Sequence, residues 1–350
     1  MKRNIIFAAI CLLVLSCEKE FDPNYKNQEP TLRVVSHPGT SDTTVIFVTG
    51  ASPVSKDTVS YDLSKTVVEM SVDGKDREVK YCDGTLPGLP EEKCWYSVGK
   101  VNPGEKIVVR VEDPTLGKAS SETTVPQQVK ITSVETSCTA NEEYTVFNIK
   151  LSGYSADGYY AFSILSDTKS ATCSYSYILR DGVLDPESVT ENWSYNSYTR
   201  TIYPVDANYR SELDMNVSGY ITVKYNGWQF FSEYYGSSAL TLVKGKDISS
   251  DGTIRIMTDY AGRSYANEYM YKNEWGYPSY YSRTDNDFSV IFYHLTPECY
   301  RYAKSRYELY DNDLGMLGFA PSTFSYTNVS GGAGAVAALT ASEPYTFEID

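Results

Sequence analysis

The sequence predicts a mainly all-β protein: an N-terminal immunoglobulin-like sandwich, then a larger antiparallel β domain with one helix in its C-terminal region. Three observations carry this expectation. Short strand-like runs separated by turn residues recur about every 8–12 residues over the first module, as sandwiches require. Tyrosine is unusually common, at 32 of 350 residues, and with abundant Thr and Val it favours strands. A single stretch carries the caps and period of a helix.

Residues 1–22, MKRNIIFAAICLLVLSCEKEFD, read as an export signal. Lys2 and Arg3 open it. The apolar run at 5–15 is shorter than the ~20 residues a membrane-spanning helix needs. Val14-Leu15-Ser16-Cys17 resembles a bacterial lipobox, which implies cleavage before Cys17 and lipidation of that residue. Glu18, Glu20 and Asp22 then resemble the acidic surface-export signal of Bacteroidota lipoproteins, interrupted by Phe21. Residues 22–30 are polar, carry two prolines and suit a tether. The expected organisation is signal peptide 1–16, lipidated tether 17–30, sandwich 31–127 and Tyr-rich β domain 128–350.

In the first module, residues 32–35 open. Residues 43–49 (TTVIFVT) form a continuous apolar run, as in a strand buried on both faces. Val68, Met70 and Val72 alternate with Val67, Glu69 and Ser71, and Asp73-Gly74 then signals a hairpin turn. Residues 94–98, 107–111 and 118–125 supply further strands, with a turn at residues 102–106. Residues 126–128 (PQQ) mark the boundary.

Beyond it, Phe147, Ile149 and Leu151 alternate, as do Tyr160, Phe162 and Ile164. Asn226-Gly227 between two strand-like runs reads as a second hairpin turn. Residues 253–258, 288–294, 324–329 and 335–339 read as strands. Thr296 is placed to cap a helix, with Pro297 at its first position and Glu298 in its first turn. Tyr300, Ala303, Tyr307 and Tyr310 then fall on one face, and residues 311–313 end the helix. The glycines at 331, 332 and 334 suit close backbone packing. They lack the Gly-Lys-Ser/Thr ending of a phosphate loop.

Removal of residues 1–16 takes away Lys2 and Arg3, so the formal charge falls from −14 to −16. An acidic chain without a basic tract is a poor nucleic-acid ligand, because Lys and Arg neutralising phosphate dominate that affinity. Besides Cys17, the mature chain holds Cys82, Cys94, Cys138, Cys173 and Cys299. Cys82 and Cys94 flank a Gly/Pro turn region and are expected to form a disulfide. At most two of the other three can pair. No Cys-x-x-Cys or nearby His supplies zinc-ligand spacing, and no cofactor is expected.

The lipobox with its acidic start, a sandwich ending at Thr124-Val125-Pro126, and a distinctive C-terminal segment point to one family. In that segment Glu298-Cys299-Tyr300-Arg301-Tyr302 opens a helix, Phe319-Ala320-Pro321 follows, and the run from Asn328 to Gly334 closes into a strand. These features resemble the Bacteroidota outer-membrane lipoproteins of domain of unknown function 4249, over nearly the whole mature chain. The stretch Ala335-Val336-Ala337-Ala338 departs from the bulkier residues expected after the glycines. The resemblance implies a surface lipoprotein often encoded beside TonB-dependent transporters. It brings no catalytic residues.

Two aromatic clusters are the candidate binding residues. Tyr265, Tyr269, Tyr271, Trp275, Tyr277, Tyr280 and Tyr281 place seven rings within 17 positions; Trp193, Tyr195 and Tyr198 form the second. Rings with polar tips suit glycan or peptide stacking and protein interfaces, though in a Tyr-rich protein they also fill sheets. Asp285-Asn286-Asp287 and Asp311-Asn312-Asp313 offer oxygen ligands, but turn and helix-end chemistry accounts for both. His37 and His294 read as structural, so no hydrolytic triad is assembled. Asp42-Thr43-Thr44 and Asp57-Thr58-Val59 resemble an O-glycosylation sequon of exported Bacteroidota proteins. The expected function is a non-catalytic accessory subunit of a SusC/SusD-type transporter that captures glycan or peptide. An adhesive surface protein is the alternative, and a hydrolase with two carboxylates meeting in space a more distant one.

Overall fold

The computed structural model describes residues 29–39, 41–51, 61–85, 92–138, 144–204, 226–227, 240–259, 265–274, 276–310 and 325–349. The first eight strands precede Pro126: β1 (Thr31–Ser36), β2 (Thr43–Ala51), β3 (Val67–Val72), β4 (Lys75–Arg77), β5 (Lys80–Cys82), β6 (Cys94–Val98), β7 (Lys106–Asp113) and β8 (Gly117–Thr124). They build two sheets. One has the order β4-β3-β7-β8. In the other, β1-β2-β6-β5 gains a strand from the far end of the chain. Val34, Ile46, Val48, Met70, Val109 and Val111 share the core between them. Asp73 and Gly74 form the two-residue loop joining β3 to β4, both at positive φ (48° and 75°). That backbone matches the twist of the flanking strands. Asp73 Oδ1 accepts the Lys106 N–H at 2.8 Å and ties the hairpin to β7.

The continuous apolar run at 43–49 has a structural reason. Ile46 and Val48 enter the sandwich core, while Val45 and Phe47 point the other way, into a second apolar layer.

The remaining strands are β9 (Lys130–Cys138), β10 (Tyr144–Ser152), β11 (Tyr159–Ser176), β12 (Leu179–Arg180), β13 (Val183–Leu184), β14 (Thr190–Ile202), β15 (Asn226–Gly227), β16 (Leu240–Lys244), β17 (Thr253–Asp259), β18 (Tyr265–Lys272) and β19 (Pro278–Leu295). After helix α1 (Pro297–Tyr310) come β20 (Gly332–Val336), β21 (Leu339–Ala341) and β22 (Tyr345–Phe347). The spine is the antiparallel pair β11–β19, each strand 18 residues long. Strands β16 and β14 follow one another along the free edge of β11. Strands β21, β22 and β18 do the same along β19. A separate sheet, β17-β10-β9, packs Phe147, Ile149 and Ile254 against Phe162, Ile164 and Phe292 of the spine.

Helix α1 starts where its caps place it: Thr296 Oγ1 accepts the Cys299 N–H at 3.2 Å. Tyr300 and Ala303 are buried; the side chains of Tyr307 and Tyr310 lie outside the described residues. The helix is sandwiched between modules, sharing an apolar layer with Phe47 of β2 and Leu242 and Leu295 of the long sheet.

Strand β20, which a division at residue 127 assigns to the second module, pairs in parallel with β1, Leu32 opposite Gly332 and Ser36 opposite Val336. Val336 and Ala338 enter the sandwich core. Ala335, Ala337 and Leu339 enter the helix layer. The alanines are therefore small because both faces of this stretch are covered; all are fully buried. Gly334 sits at φ 97°, and a β-carbon there would stand 2.1 Å from the Val34 carbonyl oxygen.

Three sequence expectations are corrected. Asn226-Gly227 is not a turn: it is strand β15, paired with Thr241 and Leu240, and the runs flanking it lie outside the described residues. Residues 325–329 contain no strand. Asp285-Asn286-Asp287 lies in mid-strand within β19 rather than in a turn. The lipidation residue Cys17, Trp275, Asp57-Thr58 and residues 311–313 are outside the described residues.

His37 is buried, and its Nδ1–H donates to the Ala337 carbonyl at 3.0 Å. Burial pulls its pKa from 6.5 to about 4. The folded imidazole is thus neutral where the unfolded one takes a proton. Stability is full above pH 6.5, falls as pH drops from 6.5 towards 4, and levels off below. The full shift corresponds to about 3 kcal/mol. His37→Gln removes this limb, so the gap in urea midpoint between variant and wild type should change sharply between pH 7 and 4.5. A constant gap refutes the assignment. For the strand junction, Gly334→Ala should cost about 3–5 kcal/mol, through backbone strain and overlap with Val34. Gly276→Ala, at φ 81° with nothing within 4 Å of the added carbon, should cost only about 1 kcal/mol. Equal costs in urea denaturation would mean that β20 does not approach β1 as described.

Candidate binding surface

Strands β11 and β19 span about 60 Å each at 3.3 Å per residue, and only their inner halves are covered. The sequence explains where the covering stops. On β11 the apolar alternation Tyr160, Phe162, Ile164 gives way after Leu165 to Asp167, Thr168, Lys169 and Ser170. On β19, Phe292, Val290 and Phe288 give way in the other direction to Asp287 and Asp285. At the transition Asn286 is buried, its Oδ1 accepting from Ser166 Oγ at 2.9 Å and Thr168 Oγ1 at 3.1 Å. Beyond it the four strands β14-β11-β19-β18 continue as a blade that, among the described residues, carries exposed side chains on both faces.

The blade brings together the two aromatic clusters that the sequence keeps apart. Register places Trp193, Cys173, Tyr281 and Met270 in one row across the four strands. On this face the Trp193 and Tyr281 rings meet edge to face at 5.7 Å, and Trp193 and Tyr195 stack at 6.0 Å. Cys173 is fully covered beneath them. The indole N–H of Trp193 donates to Glu191 Oε2 at 2.9 Å. Burial, and then the neighbouring Glu268 carboxylate, push the Tyr281 phenol above its ordinary pKa. The face therefore offers rings flanked by carboxylates.

Alternation along the strands puts Tyr198, Tyr269, Tyr271 and Tyr280 on the opposite face, with Tyr271 directly across from Tyr280. All four are exposed, as is Tyr195 at 75%. Tyr265 occupies the inner end of β18, opposite Asn286. Tyr277 does something different: it fixes the tip. Its N–H donates to Asn273 Oδ1 at 3.0 Å, its ring packs on Tyr177 at 6.0 Å, and its hydroxyl accepts from Leu184 N at 3.5 Å. Asn273 Nδ2 also bonds the Tyr177 hydroxyl.

Sequence reasoning passed over Met270, Ile178 and Val183, which are exposed on the blade or its tip. Their signal was present as apolar residues in stretches lacking a buried partner period. Among the described residues, ten of the fourteen exposed large apolar or aromatic side chains lie between 178 and 198 or between 269 and 280. This concentration is what distinguishes the blade, because scattered exposed apolar residues are ordinary whereas contiguous ones mark interfaces.

Elsewhere, Cys299 Sγ lies 4.0 Å from His37 Nδ1. Burial raises the Cys299 thiol and lowers the imidazole, so the two meet as neutral groups, the reverse of an activated nucleophile and its base. His294 Nδ1–H donates to the Gln127 carbonyl at 2.6 Å and holds the inter-module linker on β19. Among the described residues, no three His, Cys, Asp or Glu side chains are grouped to hold a metal ion.

A family profile described as Domain of unknown function (DUF4249) matches residues 18–344. No curated protein matches the chain. The matched span takes in the sandwich, the long sheet with its blade, helix α1 and β20, and the chain belongs to the DUF4249 family.

Proposed function

We propose that the protein is a non-catalytic lipoprotein on the outer surface of a Bacteroidota outer membrane. In this reading it is an accessory subunit of a SusC/SusD-type TonB-dependent transporter in glycan or peptide capture, and the blade is its binding surface. The observation that carries the reading is the gathering of exposed rings on a sheet that, among the described residues, presents exposed side chains on both faces. Trp, Tyr and Met are the side chains that interfaces enrich. The acidic charge disfavours nucleic acid as the partner. Support for the anchor comes from the lipobox at residues 14–17. Two or more acyl chains on Cys17 suffice for stable anchoring where one does not. Residues 17–30 then act as the spacer between lipid and sandwich.

Two experiments test this. Cys17→Ser should move the protein from the membrane pellet to the soluble fraction, and mass spectrometry of the native N-terminal peptide should show acyl chains; a native peptide without lipid removes the anchor. Affinity purification from native membranes in mild detergent should recover a TonB-dependent transporter. Trp193→Ala with Tyr281→Ala should weaken that association by roughly 30-fold or more, the scale of about 2 kcal/mol from interface anchors. Recovery of no transporter, together with no binding on glycan and peptide arrays, would sink the reading. Binding to a host or matrix protein alone would replace it with an adhesive role.

A further inference from the structure

The structure assigns one covalent modification site, and it stands independently of the blade: we propose that Cys82 and Cys94 join as the chain's one intramolecular disulfide, leaving Cys138, Cys173 and Cys299 as thiols. Cys82 ends β5 and Cys94 begins β6, and the two are directly opposite in the antiparallel pair. Both are free thiols in the structure and both are buried, at 1% and 0% exposure. Directly opposed antiparallel residues hold their β-carbons about 4.5–5.5 Å apart. A disulfide takes about 3.5–4.5 Å, so closure needs side-chain rotation and a small strand adjustment. The other three cysteines have different neighbours. Cys138 faces Thr145, Cys173 lies between Trp193 and Tyr281, and Cys299 stands against His37.

In the bond-forming step, two S–H bonds break and one S–S bond forms. Two electrons, and through solvent the two protons, pass to a second disulfide, that of an oxidising thiol–disulfide exchange partner, whose S–S bond breaks to give a dithiol. The location gives the bond two properties. Strand β5 is three residues long and, among the described residues, pairs with β6 alone, so the bond holds an edge that its own ladder holds weakly. The sulfurs also sit in the apolar layer beneath α1. Burial raises the Cys94 thiol to about 11, and the same burial shields the finished bond from an attacking thiolate.

The test uses the mature chain, residues 17–350, carrying Cys17→Ser so that five cysteines remain. The protein is folded with glutathione disulfide, unfolded and labelled with N-ethylmaleimide. Three labels before reduction and five after, with a peptide map joining residues 82 and 94, is the expected result. Five labels before reduction, or any other cysteine pair, overturns the assignment. Dithiothreitol should leave the bond intact in the native protein and cut it in urea. Equally rapid cleavage in both would overturn the buried placement. The oxidised protein should melt about 5–10 °C above both the reduced protein and Cys82→Ala/Cys94→Ala; identical melting would overturn the bond's role in holding the edge.

Discussion

The parallel ladder between β1 and β20 is the contact on which the rest depends. It completes the outer sheet of the sandwich, and the same short stretch supplies side chains to two cores. Val336 and Ala338 close the sandwich, while Ala335, Ala337 and Leu339 form the floor on which α1 lies. Such a strand tolerates little. It needs small residues because there is a packed layer on each side, and it needs Gly334 because a β-carbon there would meet the backbone of β1. The two modules are joined through this strand and the helix above it rather than across a simple linker. The Gln127 and Gln128 region is itself strapped down, with Gln128 Nε2 donating to the Ala341 carbonyl at 2.6 Å.

Much of this was legible in the residues, and the reasons differ by element. The Asp73-Gly74 hairpin was readable because β3 alternates up to it and Asp-Gly suits the positive φ that both turn positions adopt. Helix α1 was readable from its cap. Asn226-Gly227 carries the same local signal and is a strand, because its partner β16 takes the pair into a sheet and tertiary pairing overrides turn propensity. The role of β20 was not legible. A run of Gly and Ala shows closeness without saying to what, and its partner is β1, at the other end of the chain. The resemblance to the family located this segment as distinctive but gave no physical role for it.

The blade was half legible. Both aromatic clusters stood out as sequence, but their meeting required the register of four strands, which no local pattern encodes. Alternation also divided what spacing had grouped: Tyr280 and Tyr281 are neighbours in sequence and face opposite sides of the sheet. Of the seven rings, the five with described side chains divide between two surfaces and a turn lock. The clearest sign in retrospect is the point at which apolar alternation on β11 and β19 stops while strand propensity continues. A strand that goes on after its core has ended is reaching for something other than its own core.

The ladder to β20 also dictates an order of assembly. His37 and Ala337, which it brings into hydrogen-bond contact, are separated by 300 residues in sequence. Closing a loop of that size costs about 2 kcal/mol more in chain entropy than closing one of 20 residues, and contacts of this range slow folding. As the chain folds from its N-terminal end, the sandwich can collect β1 to β8 early, yet the edge of β1 stays open until β20, near the C-terminus, arrives. The protein thus carries an unpaired strand edge through most of its biogenesis, the kind of surface that recruits chaperones or other chains. Whatever else the C-terminal glycine segment does, it is the latch that ends that vulnerable interval.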